Sequence, residues 1–153
     1  HPHLYSIEGL LGAAIYLDND KYMASVYKAL SWIDTLQMEH GGIAGFVSNG
    51  NVINYDSPDI NSQYLRCAVK SGYESISSKR IRKLIDRIIS FQVTDKDNSR
   101  INGGFRVGEI WFFDQSMMKI GPIKNHINTW ATIFACNSLD YLSDGKRSTF
   151  SIC

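Results

Sequence analysis

The sequence predicts an all-α fold of repeated helical hairpins, and three observations support this prediction. Five segments place apolar residues at helical spacing. Two pairs of polar residues share one spacing, since 55 residues separate Glu8 from Gln63 and Gln37 from Gln92 (63 − 8 and 92 − 37). No series of alternating strands is evident, although the long loops leave room for short β-hairpins near residues 46–55 and 106–113. A helical repeat, as in an incomplete (α/α) toroid, is the architecture that these features favour.

The composition is that of one ordinary globular domain. The 153 residues are 44% hydrophobic and 20% charged, and we expect a repeat domain over residues 1–143 and a polar tail over 144–153. The net charge of +1 gives no field that favours nucleic acid or an anionic membrane as a partner. No apolar run is long enough to span a bilayer, and no signal peptide is recognisable. Because the chain starts at His, we expect a processed product or a fragment of a longer protein.

Three cysteines, without a CxxC pair, give no disulfide framework or zinc site. Cys67 and Cys136 lie in apolar helical patterns, so we expect both to be buried and reduced, in a cytoplasmic setting. No cofactor and no metal is expected, since phosphate loops, nucleophile elbows and spaced Cys/His clusters are missing from the sequence. His1 and His3 alone do not define a metal site.

The first two helices form the first predicted hairpin. The first runs from Pro2 to about residue 17 and is apolar on most sides, which is typical of an interior helix. Asp18-Asn19-Asp20 breaks it. The second, over residues 21–38, has one apolar face and one polar face, so we expect it to be an outer helix. The Gly41-Gly42 pair can adopt positive φ and so stop this helix.

The remaining helices repeat that order. Ser57-Pro58-Asp59 marks the start of an inner helix over residues 59–73, since Ser can cap and Pro suits the first position. Ser77-Ser78 opens an outer helix over 78–92, whose basic residues indicate a solvated face. A third inner helix follows Pro122 and spans about 125–142. This last helix lacks an outer partner, which either further hairpins of a parent chain or a second subunit would supply.

Part of the chain resembles a known class. Residues 3–11 (HLYSIEGLL), the two connections from Gln to Gly45-Phe46 and to Gly104-Phe105, and residues 128–135 (NTWATIFA) resemble part of an (α/α) toroid of the six-hairpin glycosidase and terpenoid-cyclase type. The resemblance covers most of the chain through motifs that many families share. It implies a sugar epimerase, an unsaturated-uronide hydrolase, a polysaccharide lyase or an isoprenoid-processing enzyme. The chain departs from that class in its two and a half hairpins and in lacking a repeated Asp-rich box.

The resemblance also implies a pocket near the starts of the inner helices, where unpaired N–H groups favour anionic ligands. Two loop residues, Glu39 and His40, are further candidates beside this pocket. The candidate catalytic residues are Glu8, Asp59, His3 and His126. The candidate substrate-binding residues are Tyr5, Gln63, Arg66, Arg106, Trp111 and Trp130.

Spacing supports one group of these candidates. Asp59, Gln63 and Arg66 lie at i, i+4 and i+7, so one helix face presents all three. Arg can clamp a carboxylate while Asp or Gln orients sugar hydroxyls, or all three can simply hold neighbouring helices. Glu8 and Asp59 are the first pair to test for cleavage by two carboxylates. The aromatic candidates can stack on a sugar ring or fill a core.

Three functions remain open. The first is a carbohydrate-active toroid domain or fragment that hydrolyses, eliminates or epimerises a glycan, with an oligosaccharide or polysaccharide as its partner. The second is a non-catalytic helical module that binds a glycan or a protein, or that assembles as a homo-oligomer. The third is an isoprenoid-processing toroid with an aromatic, apolar pocket. The sequence leaves open whether the chain is an enzyme.

Overall fold

The computed structural model describes residues 2–75, 77–107, 111–113, 119–122 and 127–143. Within these ranges the chain forms five helices and two short β-hairpins. The elements in order are α1 Pro2–Tyr16, α2 Asp20–Asp34, β1 Phe46–Ser48, β2 Asn51–Ile53, α3 Pro58–Lys70, α4 Lys79–Ile89, β3 Trp111–Phe113, β4 Lys119–Pro122 and α5 Thr129–Ser143.

Helices α1 to α4 begin within one residue of their predicted starts, whereas α5 begins at Thr129 rather than near residue 125. Asn19 caps α2, because its Oδ1 accepts from the backbone N–H groups of Lys21 and Tyr22 at 3.0 and 3.1 Å. Ser78 caps α4 through the N–H of Ile81. Pro58 is the first residue of α3 as expected, but Ser57 does not cap with its side chain: its hydroxyl donates to the Asp59 carboxylate instead.

Helices α2 and α4 end earlier than predicted. Helix α2 ends at Asp34 rather than near residue 38, and α4 ends at Ile89 rather than 92. In each case a Gln beyond the helix pairs with a later residue, Gln37 with Ile43 and Gln92 with Phe105. The chain therefore leaves each helix early and turns back, so that the Gln residue pairs with the returning segment. Gly41 adopts φ +99° within the first return and does not end the helix itself.

One of the two expected β-hairpins lies where the sequence places it. Strands β1 and β2 pair antiparallel, with Phe46 opposite Ile53 and Val47 opposite Val52. The turn consists of Asn49 and Gly50, both at positive φ, as a tight two-residue hairpin turn requires. The second antiparallel pair, β3 with β4, joins residues 111–113 to 119–122, whereas the sequence places a hairpin at 106–113.

Helix α3 is the centre of the fold. It packs against α1, α4 and α5 and also touches α2, while α1 packs on α2. Nine of its 13 residues are buried. The core that surrounds it combines aliphatic side chains from all five helices with two aromatic ones from the loops. Its fully or nearly fully buried members include Leu11, Leu30, Ile43, Leu65, Ile81, Leu84, Ile88, Phe91, Phe105 and Ala135.

A buried polar network joins the start of α3 to α4 and to the loop after α2. Arg87 binds the nearly buried Asp56 carboxylate with two hydrogen bonds, at 2.9 and 2.8 Å. Asn61 donates to the same carboxylate and accepts from the backbone N–H of Ile43, both at 2.8 Å. A Cβ at position 42 would lie 2.0 Å from an Asp56 carboxylate oxygen, so Gly42 allows the loop to approach this network.

A second network joins α2, α3 and α4. The Asp34 carboxylate accepts from the Tyr64 and Tyr73 hydroxyls, the latter at 2.7 Å, and forms an ion pair with Arg80 at 2.7 Å. Burial, followed by the Asp34 hydrogen bond, raises the pKa of Tyr64 above its usual value. The sequence did not single out either network, because its polar members are far apart along the chain.

Two predictions about burial are wrong. Helix α1 is not buried on most sides: only four of its 15 residues are buried, because it packs mainly against α2 and α3. Cys136 is exposed on α5, whereas Cys67 is buried as expected. The predicted tail, 144–153, lies outside the described residues. None of the helices in the described ranges combines the length and apolar character that a bilayer span requires.

Candidate functional site

Helices α1 and α3 bring polar side chains together where they pack against each other. Arg66 of α3 forms an ion pair with Glu8 of α1, through Nη2 and Oε1. Gln63 Nε2 donates to the other carboxylate oxygen of Glu8 at 3.4 Å. Gln63 is fully buried, whereas the side chains of Arg66 and Glu8 are 18% and 25% exposed. The ion pair therefore reaches the surface while the amide lies beneath it.

Aromatic side chains border this ion pair. The guanidinium carbon of Arg66 lies 5.3 Å from the centroid of the Phe134 ring. Tyr5 meets the same ring edge-on at 6.3 Å, and Trp130 lies 5.2 Å from it. Tyr5 and Trp130 are 43% and 53% exposed, so they present aromatic surface beside the charged pair. We call the six residues Tyr5, Glu8, Gln63, Arg66, Trp130 and Phe134 the polar–aromatic cluster.

Helical periodicity explains why three separate segments meet in this way. Each of the helices α1, α3 and α5 contributes two residues three or four positions apart, which lie on one face of a helix. The pairs are Tyr5 and Glu8 on α1, Gln63 and Arg66 on α3, and Trp130 and Phe134 on α5. Because α3 packs between α1 and α5, the three faces converge on it.

Two polar atoms of the cluster have no hydrogen-bond partner in the described structure. They are Oε1 of Gln63 and Nε of Arg66, and both are buried. The neighbouring Ser62 hydroxyl is in the same condition. Most buried polar groups in proteins are paired. The cluster thus holds one acceptor and one donor that its own residues do not use.

The surroundings of the cluster are poorly solvated. Burial, followed by the Glu8 charge, raises the pKa of the Cys67 thiol to about 12. Burial, followed by the nearby Arg66 charge, lowers the pKa of Lys70 from its usual value. Lys70 Nζ also lies 5.0 Å from the centroid of the Tyr141 ring on α5. Charges at this interface therefore interact more strongly than at an open surface.

Two of the candidate catalytic residues, His3 and Asp59, have neighbours other than the members of the polar–aromatic cluster. His3 packs edge-on against Trp32 at 4.9 Å, beside an apolar groove of about 330 Å³ that Phe46 also lines. Asp59 accepts from the Ser57 hydroxyl at the start of α3, one turn before Gln63. Burial raises the pKa of Tyr55, and the charge of Asp59 is the second cause of this shift.

The other candidates lie in loops or cannot be placed. The Arg106 side chain is exposed, and its backbone N–H donates to Phe91 O at 2.9 Å. Glu39 and His40 are exposed in the loop after α2, where the Gly42 N–H donates to His40 Nδ1 at 3.2 Å. His126 falls outside the described residues. Trp111 begins β3, of which only the backbone is described.

The structure therefore gathers five of the predicted site residues, Tyr5, Glu8, Gln63, Arg66 and Trp130, into one cluster. It adds Phe134, which the sequence analysis missed as a site residue. The available signal was its position four residues after Trp130, on the same helix face. Asp56 and Arg87 were missed too, but their mutual contacts give them a structural explanation.

The described ranges contain no group of three or more His, Cys, Asp or Glu residues arranged to hold a metal ion. No family model, curated protein sequence or solved structure matches this chain.

Proposed function

We propose that this chain is a carbohydrate-binding helical domain and that the glycan binds at the polar–aromatic cluster. The observation that carries the proposal is the contact of Glu8, Gln63 and Arg66 beside exposed aromatic rings on α1 and α5. An aromatic ring can cover the apolar face of a sugar, while a few fixed polar groups determine its orientation. Tyr5 and Trp130 supply the first property, and the polar residues supply the second.

The proposal includes the wider architecture and setting. We propose that α1, α3 and α5 are inner helices, and α2 and α4 outer helices, of an (α/α) toroid that further hairpins or another subunit would complete. The connections after α2 and α4 support this, since Gln37 Nε2 donates to Gly41 O at 2.9 Å and Gln92 Nε2 to Gly103 O at 3.3 Å. Two free thiols, Cys67 and Cys136, fit a cytoplasmic setting.

Ligand binding at the cluster can be tested with matched tryptophan variants. Trp130→Ala removes aromatic surface from the cluster, whereas Trp32→Ala removes a similarly exposed ring (46%) beside His3. In a screen of oligosaccharides by native mass spectrometry and calorimetry, we expect Trp130→Ala to weaken glycan binding about tenfold or more, as for a central aromatic contact. Trp32→Ala should retain the wild-type affinity.

The same screen contains the outcomes that would reject the proposal. Binding of no glycan, or equal losses in both tryptophan variants, would contradict a site at the cluster. A prenyl ligand included in the screen tests the isoprenoid alternative. Prenyl binding that Trp32→Ala abolishes would favour that function, because the apolar groove beside Trp32 would then be the ligand site.

We extend the proposal to catalysis through the same surface, by hydrolysis, elimination or epimerisation. Glu8 is held by Arg66 and Gln63, which suits a group that orients substrate, while Asp59 lies one turn before Gln63 on α3. Glu8→Gln and Asp59→Asn should each abolish turnover with circular dichroism unchanged. Full activity in both variants, measured by release of reducing ends or of unsaturated product, would reject a mechanism based on two carboxylates.

A second function, assembly, is favoured by the exposed end of α1. Ile15, Tyr16 and Leu17 are 48%, 88% and 57% exposed, and adjacent exposed apolar residues are typical of protein–protein contacts. We expect native mass spectrometry to detect an oligomer that the double variant Tyr16→Ser/Leu17→Ser dissociates. Tyr22→Ser, an exposed position on α2, should not change the mass. A monomeric wild-type chain would contradict self-assembly.

A further inference from the structure

We infer that the polar–aromatic cluster selects an uncharged sugar over an acidic one, through the contact of Glu8 with both Arg66 and Gln63. This inference rests on the proposed function, because it names the class of sugar that the same site takes, and it favours hydrolysis or epimerisation over elimination, which requires an acidic sugar. It also reverses the sequence-based expectation that Arg66 holds an anionic substrate. The reasons are the charge already present in the site and the hydrogen-bonding groups that remain unused there.

The positive charge of the site is already neutralised from within. Arg66 forms its ion pair with Glu8, and the donor end of the Gln63 amide binds the same carboxylate at 3.4 Å. A sugar carboxylate would have to lie beside that of Glu8, and two like charges at this position repel each other. Glu8 therefore acts against acidic ligands.

Lys70 is a further cation beside the cluster. It lies one turn after Arg66 on α3, and its Nζ interacts with the Tyr141 ring of α5 at 5.0 Å. Its ammonium group is therefore engaged by an aromatic face. We expect Lys70 to contribute less to the choice of ligand than the Glu8–Arg66 pair does.

The unused hydrogen-bonding groups point to the same conclusion. Gln63 Oε1 is a buried acceptor without a donor, and Arg66 Nε is a buried donor without an acceptor. The Gln63 amide cannot exchange its two ends, since its oxygen would then face the Glu8 carboxylate. A carboxylate can only accept, so it leaves Gln63 Oε1 unpaired. A hydroxyl or an acetamido group donates and accepts, so it can pair with either atom.

A ligand must reach both atoms from the exposed edge of the Glu8–Arg66 pair, because Gln63 itself is fully buried. Each belongs to a group that contacts Glu8, whose side chain is 25% exposed, and Arg66 itself is 18% exposed. Rotation of the Arg66 side chain is the movement by which we expect a ligand group to reach them. The energy for this movement comes from pairing the two buried atoms, each of which is unfavourable while unpaired.

The test compares two ligands of equal length, a neutral galacto-oligosaccharide and a galacturonic acid oligomer, by calorimetry. We expect the wild-type chain to bind the neutral ligand at least about tenfold more tightly, a ratio typical of a local specificity contact. Equal or tighter binding of the acidic ligand by the wild-type chain overturns the inference without any variant. Binding of neither ligand contradicts the proposed function and the inference together.

Two variants identify the cause of the selectivity. Glu8→Gln removes the internal negative charge and frees Arg66, so we expect the affinity for the acidic oligomer to rise about tenfold. Gln63→Met removes the unpaired acceptor at similar volume, so the affinity for the neutral ligand should fall. An unchanged affinity ratio in Glu8→Gln overturns the role of Glu8. Unchanged neutral binding in Gln63→Met shows that this atom serves only an internal water.

Two further neutral ligands, one with hydroxyl groups only and one with 2-acetamido groups, distinguish which neutral group pairs with Gln63 Oε1 and Arg66 Nε. Tighter binding of either one over the acidic oligomer supports the inference and names the group. Binding of the acidic oligomer over both overturns it.

Discussion

Helices α1 and α3 are both predicted as inner helices, yet they are buried to different extents. Helix α3 buries nine of 13 residues, and α1 buries four of 15. The sequence of α1 is the more apolar of the two, while α3 buries three consecutive polar residues, Asn61, Ser62 and Gln63. Burial therefore follows the number of neighbouring helices rather than hydrophobicity: α3 packs against α1, α4 and α5, and α1 against α2 and α3.

The largest difference between the two helices should appear on shortening an aliphatic side chain. Leu65 of α3 is fully buried, whereas Ile15 of α1 is 48% exposed. We expect Leu65→Ala to lower the free energy of unfolding by about 3–4 kcal/mol, because it leaves a cavity. Ile15→Ala should cost less than about 0.5 kcal/mol. Urea unfolding of both variants measures this, and similar losses would show that a partner covers α1.

The next effect concerns the ion pair of Asp56 with Arg87, next to the start of α3. Asp56→Asn removes the negative charge of a buried carboxylate that accepts hydrogen bonds from Arg87 and Asn61, and we expect a loss of about 2 kcal/mol, as for hydrogen bonds to a charged group. Asp86→Asn changes an exposed carboxylate on α4 and should alter stability by less than about 0.5 kcal/mol. Thermal unfolding of the two variants distinguishes them. Equal changes would mean that the network does not hold α3.

A smaller effect depends on pH and on Cys67 of α3. Burial raises its thiol pKa from 9.0 to about 12, so the unfolded chain loses this proton before the folded chain does. The stabilising contribution is full below pH 9 and is lost as pH rises from about 9 toward 12. Between pH 7.5 and 10 we expect the wild type to lose about 1 kcal/mol more than Cys67→Ala does.

The matched control for that pH effect is Cys136→Ala, because Cys136 is exposed on α5. This variant should lose stability between pH 7.5 and 10 to the same extent as the wild type. Urea unfolding at both pH values provides the comparison. Parallel pH dependence in the wild type and Cys67→Ala would contradict a buried, protonated Cys67 thiol.

The smallest effect is expected where α1 meets α3. Glu8→Gln removes a partly exposed ion pair with Arg66, and such pairs contribute about 1 kcal/mol or less. Its cost in urea unfolding should therefore be well below that of Asp56→Asn. A loss as large as that of Asp56→Asn would identify Glu8 as a structural anchor rather than a group kept for binding.

The helices and part of the cluster could be predicted because both depend on local spacing. Tyr5 with Glu8 and Gln63 with Arg66 are visible as pairs on one helix face. The contact of Glu8 with Gln63 joins residues 55 positions apart, and only their shared spacing hinted at it. Asp34 and Asp56 could not be predicted, because nothing near them in the sequence identifies their partners on α3 and α4.

The sequence by itself determined where helices start, since caps, prolines and periodic apolar residues act within a few positions of one another. It also determined which polar residues share a face of each inner helix. The tertiary structure alone decided that α3 is buried and α1 is not, and that Glu8 meets Arg66 beside Phe134. Those outcomes depend on which helices pack together, and packing is a property of the whole chain rather than of any one segment.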